Sequence, residues 1–243
     1  MGSGQDHGRG PRAAPRAGLQ RLSAATSNRR TVEVGAGRLE RWAAGFEERH
    51  GAVAASVDAE GLTLAAADGA AASFAHPWGR GTTVAEFAAA VLAPRRVGVL
   101  LVRRGGYACA VLHEGRVAAS KVGHRYVQGR TAAGGWSQQR FARRREKQTG
   151  ELAGSAADVA ARLLLDPLPD GLATGGDRPL VDRVLADPRL RRLADLPRGP
   201  HLAVGDPSAD VVRALPDLLT RVAVTLTEPA VRRGQGQETT TNP

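Results

Sequence analysis

Val97–Arg103 (VGVLLVR), Tyr107–His113 (YACAVLH) and Arg116–Val122 (RVAASKV) follow one another closely, with Gly105-Gly106 (after Arg104) and Glu114-Gly115 at the turns between them. Gly-containing pairs between β-rich runs reverse a chain tightly, so the three runs predict an antiparallel meander. A Gly-rich stretch from Gly123 to Trp136 comes next, and then a helical pattern over Ser137–Leu165. That helix is divided. Gln138–Gln148 is almost wholly polar and cationic, whereas Leu152, Ala156, Val159, Ala160, Leu163 and Leu164 fall on one side. An apolar stripe of this period packs on a sheet, so the rear anchors the helix and the front turns project beyond the body.

Downstream the pattern alternates. Gly171–Gly175 reads as a strand, Arg178–Ala186 as a helix with a shorter one near Leu190–Leu193, and His201–Gly205 as a strand. Asp206 and Pro207 supply an N-cap and a first-turn proline for a helix to Leu219, and Val222–Thr227 is a last strand. Three meander strands followed by alternating helix and strand is the order of an RNase H-like α/β layer. Upstream, Thr31–Val34 is a strand, and Leu39, Trp42, Ala43 and Phe46 line an amphipathic helix over Arg38–His50, stopped by Gly51. Ala52–Asp58, Gly61–Ala67 and Ala70–His76 are short strands; Thr83 and Glu86 form a capping box for a helix through Leu92. The organisation expected is a disordered basic tail over 1–30, a small α+β module over 31–95, an RNase H-like domain with a mixed sheet over 96–230, and a disordered tail over 231–243. The fold class is α/β (α+β).

The chain has 243 residues, 42% of them hydrophobic but only 4% aromatic, so its core is built from Ala, Val and Leu. One cysteine, Cys109, rules out an internal disulfide framework, and no Cys/His spacing fits a zinc site. No apolar run approaches the ~20 residues needed to span a bilayer. Residues 1–30 lack the apolar core of a secretory signal, which leaves the cytoplasm as the expected location. The formal charge is +10, and 32 of the 34 basic residues are Arg. Residues 1–30 carry six Arg and one Asp (+5), and residues 116–147 carry nine Lys or Arg against Glu146 (+8), so the rest sums to −3. A concentrated basic stretch is the footprint of a polyanionic partner.

Familiar catalytic constellations are incomplete. A metal-dependent nuclease needs converging carboxylates, but the first meander strand ends Val102-Arg103-Arg104; Asp177, Asp182 and Asp206 read as turn, surface and cap residues. Gly135-Trp136-Ser137-Gln138-Gln139 lacks the final Gly of a serine-hydrolase elbow, and Gly35-Ala36-Gly37 lacks the third Gly of a dinucleotide fingerprint. His50, His76, His113, His124 and His201 are scattered, and Cys109 reads as a buried small residue. Neither a metal nor a cofactor is expected.

What remains is His124-Arg125-Tyr126 and, after it, Gly134-Gly135-Trp136-Ser137-Gln138-Gln139-Arg140-Phe141-Ala142-Arg143-Arg144-Arg145. This segment resembles the actinobacterial branch of the Vms-type release-factor-like peptidyl-tRNA hydrolases, a family related to the middle domain of eukaryotic and archaeal class-1 release factors. The resemblance runs from about Val97 to Glu228, and Trp42, Phe46, His50-Gly51 and Asp68-Gly69 resemble the branch's N-terminal module. It implies a metal-independent ester hydrolase that frees nascent chains from tRNA on stalled ribosomes or large subunits, in ribosome-associated quality control and away from membranes. The functional glutamine it implies is Gln138, three residues after Gly135, with Gln139 the competitor and Gly134 and Gly135 in the loop. Arg125, Arg130, Arg140, Arg143, Arg144, Arg145 and Lys147 would grip RNA. In release factors proper the Gln follows Gly-Gly directly; here Trp136-Ser137 intervene. Within the family, cleavage of the tRNA acceptor end is the related reaction.

The chemistry of the residues fits beside the resemblance. A Gly-containing loop can enter a narrow RNA-lined cavity, and a neutral Gln enters a polyanionic site without burying a charge. Its amide can orient a water and hydrogen-bond a developing oxyanion. The plainer alternatives are that Ser137 caps the helix and both glutamines are solvated first-turn residues, or that the patch binds RNA or ribosomes without catalysis.

Overall fold

The computed structural model describes residues 28–124 and 136–228, which form two five-stranded sheets. The tails expected over 1–30 and 231–243 fall outside these residues, save Asn28–Arg30. In the first sheet the order is β1 (Asn28–Gly35), β10 (Arg221–Glu228), β4 (Ala71–Ala75), β3 (Leu62–Ala66), β2 (Val53–Val57), with every pair antiparallel. Its period-2 alternation sends Leu62, Leu64, Ala72, Phe74, Val222, Val224 and Leu226 inward. The helices α1 (Leu39–His50) and α2 (Val84–Leu92) cover them with Leu39, Phe46, Phe87 and Val91. The other face is small and polar. Thr31, Thr225, Ser73, Thr63 and Ser56 lie in register across all five strands, with hydroxyl pairs Thr31–Thr225 and Thr63–Ser73 each at 3.0 Å.

The second sheet runs β7 (Arg116–His124), β6 (Gly106–His113), β5 (Arg96–Arg103), β8 (Gly171–Gly176), β9 (Arg198–Leu202). The meander β5-β6-β7 is antiparallel as expected, while β8 and β9 add in parallel, so the sheet is mixed. β5 and β6 are buried on both faces, which is why their sequences read as continuous apolar runs. α3 (Trp136–Leu164) and α4 (Arg178–Leu185) cover one face; α6 (Ala209–Leu218) covers the other with Val212 and Leu215. Pro188–Leu190 and α5 (Arg191–Ala194) follow α4. Among the described residues no helix is long and apolar enough to cross a membrane.

Several details depart from the sequence reading. β1 begins at Asn28, so the last three residues of the segment expected to be disordered pair with β10. The last strand, expected beside the other elements of the 96–230 segment, instead sits between β1 and β4 in the first sheet. β9 covers 198–202 and not 201–205, because Pro200 is tolerated on an edge strand, where a missing N–H leaves no ladder bond unmade. Ser208, not Asp206, caps α6 by accepting from the Val211 N–H at 3.3 Å; Pro207 precedes the cap, and Asp206 turns to Arg103 Nε at 3.8 Å. The capping box of α2 forms with a shift. Thr83 accepts from the Glu86 N–H at 3.2 Å, but the Glu86 carboxylate takes the Thr82 N–H at 2.7 Å.

The two sheets meet at His76 and Trp78. A Cβ on Gly199 of β9 would lie 2.6 Å from the Trp78 ring, so only glycine admits it, and the Arg95 guanidinium lies 4.5 Å from that ring's centroid. His76 Nε2 donates to the Leu219 carbonyl at 3.0 Å, and Nδ1 accepts from the Trp78 N–H at 3.2 Å, an arrangement only the neutral imidazole can make. Burial, aided by the nearby Arg95 charge, lowers the His76 pKa to about 4. A histidine depressed in the folded state takes up a proton more readily when unfolded, so acid favours unfolding. Stability is therefore expected to fall as pH drops from about 6.5 to about 4 and to level off below. Melting curves across that window should flatten in His76→Gln; an unchanged slope would assign the acid sensitivity elsewhere.

Candidate nucleic-acid interface

The strands β5, β7, β8 and β9 all end at the same edge of the second sheet. Ligands of open α/β sheets gather at this carboxyl edge, where the connections diverge. β7 ends at His124 and α3 begins at Trp136. α3 then runs back to Leu164, shortly before β8 starts beside Val97. Its 29 residues make a rod about 43 Å long. An eight-residue strand such as β5 spans only about 26 Å. The front of α3 therefore overhangs the carboxyl edge by on the order of 15 Å.

Burial follows the same division. Leu152, Ala153, Ala156, Ala157, Val159, Ala160 and Leu164 are buried against Leu100, Val102, Cys109 and Val111. The Cys109 thiol, pushed up to about 12 by burial, is inert. Further forward, Arg140, Arg143, Arg144, Glu146 and Lys147 are all exposed, and Arg145 is half-buried. Glu146 is the single carboxylate among Arg140–Lys147, and Arg183 of α4 engages it through Nη1 at 2.5 Å. Farther back, Arg189 joins Asp158 of α3 at 2.8 Å to Asp187 at 2.7 Å, and Arg189 holds the Asp187 carboxyl down at about 2. The cationic front is thus open to solvent and pinned at its base.

The expected site residues divide accordingly. Arg140, Arg143, Arg144, Arg145 and Lys147 share one overhanging helix. Gln138 and Gln139 belong to its first turn, one after the other, so their Cα atoms stand about 100° apart around the axis. Gly134, Gly135, Arg125 and Arg130 lie outside the described residues. Arg183 was not singled out by its sequence. It sits on the solvent side of a helix whose Leu180, Val181 and Val184 are buried, and nothing local announces that α3 lies across from it. The carboxylates considered for a metal stay apart in role. Asp177 occupies the N-cap position of α4, Asp182 is exposed, and Asp206 pairs with Arg103. Among the described residues no cluster of three His, Cys, Asp or Glu is placed to hold a metal ion.

The N-terminal residues singled out together do meet. Trp42 stacks on Phe46 at 5.8 Å between centroids, Phe46 lies 4.6 Å from the His50 ring, and His50 Nδ1 reaches Asp68 Oδ2 at 2.8 Å. One side of α1 is thereby tied to the β3–β4 turn. The bond to the Ala70 N–H and the bond to His50 hold Asp68 below the usual carboxylate range.

Against known proteins, the family model described as Actinobacteria/chloroflexi VLRF1 release factor matches residues 95–225, just over half of the chain. Among solved structures, that of an archaeal translation termination factor, aRF1, aligns at 14% identity with a TM-score of 0.32. That alignment covers 49% of this chain and 33% of the archaeal one, so the chain spans about a third of that factor's length. No curated protein matches.

Proposed function

Since the chain belongs to the Actinobacteria/chloroflexi VLRF1 release factor family, we propose that it hydrolyses the ester of peptidyl-tRNA and so frees nascent chains from stalled ribosomes or large subunits. A release-factor-like role in translation follows from the family; the reaction, its substrate and its cytoplasmic, ribosome-bound setting are the proposal. The observation that carries it is the overhanging front of α3, exposed at Arg140, Arg143, Arg144 and Lys147, which continues directly from the Gly134-Gly135 segment.

In this reading the cationic turns bind phosphates of the acceptor stem or ribosomal RNA, and the glycines carry the first turn of α3 to the ester. The amide of Gln138, or of Gln139, positions a water. The water oxygen attacks the ester carbonyl carbon, the amide N–H stabilises the oxyanion, and the carbonyl carbon parts from the ribose oxygen. One of the water's protons ends on that oxygen and the other passes to solvent, leaving a hydroxyl-ended tRNA and a peptide carboxylate. An aminoacyl ester is already activated, so positioning substitutes for a strong side-chain base.

The deciding experiment adds the purified chain to stalled nascent-chain complexes and maps the tRNA product. Free peptide with an intact tRNA 3′ end is expected. A shortened end would make the chain an acceptor-end nuclease, and binding without release would make it a non-catalytic ribosome factor. Neutralising Arg143, Arg144 and Arg145 together is expected to weaken RNA binding and flatten its dependence on log salt by about two to three units of slope. A slope that survives intact would place the contact elsewhere.

A further inference from the structure

Arg143, Glu146 and Lys147 stand at i, i+3 and i+4 on α3 and so share one face, and Gly150 extends that face by another turn. Arg183 of α4 lies across it. Its Nη1 is 2.5 Å from Glu146 Oε1, and a Cβ on Gly150 would come within 3.3 Å of its Nη2. Glycine at 150 thus lets the guanidinium lie close against the helix. The four side chains Arg143, Glu146, Lys147 and Arg183 line an open trough of about 690 Å³. Three cations face one carboxylate there, and that carboxylate fixes the position of one of them.

We infer that this trough is a binding site for the sugar-phosphate backbone of RNA, and that Arg183 is a phosphate-contacting residue supplied from outside the stalk. The inference rests on the release-factor reading and deepens it by naming a second helix that holds the substrate. The chemistry favours a phosphate chain over an acidic peptide. The trough is shallow and open to solvent, and exposed Arg140 stands one turn forward of Arg143 on the same face of the helix. Arg143 and Lys147 are separated by about 6 Å of helix rise, so they offer successive charges to a polyanion. Arg183 offers a fork of N–H donors, of which Glu146 engages Nη1. Glu146 sets the orientation of Arg183 and limits the net charge of the trough.

The test measures binding of the full chain to a short RNA duplex with a single-stranded 3′ end, over a series of salt concentrations. Arg183→Ala is expected to weaken binding several-fold and to reduce the log–log salt slope by about one. Arg183→Lys should keep the slope while losing part of the affinity. Glu146→Gln should tighten binding at low salt, because the amide still meets Arg183 and the trough gains a positive charge. A melting curve for each variant checks the fold. If the chain binds the duplex but Arg183→Ala leaves the slope unchanged, the trough is overturned and the release reading stands. If the chain does not bind the duplex, the trough is overturned, while the release reading is decided by the assay on stalled complexes. Equal binding of a poly-glutamate peptide, with the same loss in Arg183→Ala, overturns the RNA assignment in favour of an acidic protein partner.

Discussion

Replacing one of Gln138 and Gln139 by Ala is expected to lower peptide release about a hundredfold to a thousandfold, and the other replacement to change it only a few-fold. The magnitude is that of removing one preorganised donor from a developing oxyanion. The asymmetry comes from the helix. Consecutive first-turn residues of α3 diverge by about 100°, so only one can address a given ester. Single-turnover release from purified stalled complexes measures the effect, and ribosome sedimentation checks that binding persists. Undiminished release in both variants abandons the amide mechanism. A loss confined to Gln139→Ala carries more information. Gln139 precedes Arg143 and Lys147 by four and eight residues, so that result places the reacting ester on the same side of the rod as the trough.

The second large effect is on the anchor. Leu152 is fully buried where the apolar rear of α3 first meets the sheet. Leu152→Ala is expected to destabilise the protein by about 2–5 kcal/mol, through lost burial and the cavity left behind. For a chain of this size that is on the order of 10 °C in melting temperature. Leu152→Met, close in volume, should cost less than about 1.5 kcal/mol. Circular-dichroism melts decide it; a shift of a degree or so in Leu152→Ala would mean that the rod is held by its ion pairs and not by its stripe. Exposed pairs such as Glu146–Arg183 contribute little to stability, so the stripe is expected to dominate.

Much of this was legible in the chain itself. The meander strands and the long helix start and end within two residues of their expected bounds, because turn glycines and a sustained helical stripe are local signals. Pairing between distant segments is not local. Val222–Thr227 alternates as any half-buried strand does, and nothing in that alternation says which sheet it joins. The same holds for the site. A run such as Arg143-Arg144-Arg145 announces a polyanion partner from composition alone. The partnership of Arg183 with Glu146 spans 37 residues and depends on how two helices cross one sheet face. Asp206 and Ser208 are both good caps, and only the path of the loop through Pro207 chose between them.

The place of β10 has a consequence for how the protein is made. Synthesis delivers β1 and β4 early, yet the strand that must sit between them emerges after every other described strand. Until it arrives, the two facing edges stay unpaired, and a chain interrupted anywhere before residue 221 lacks the middle of its first sheet. A protein proposed to clear interrupted synthesis is one whose own interrupted products stay incompletely folded.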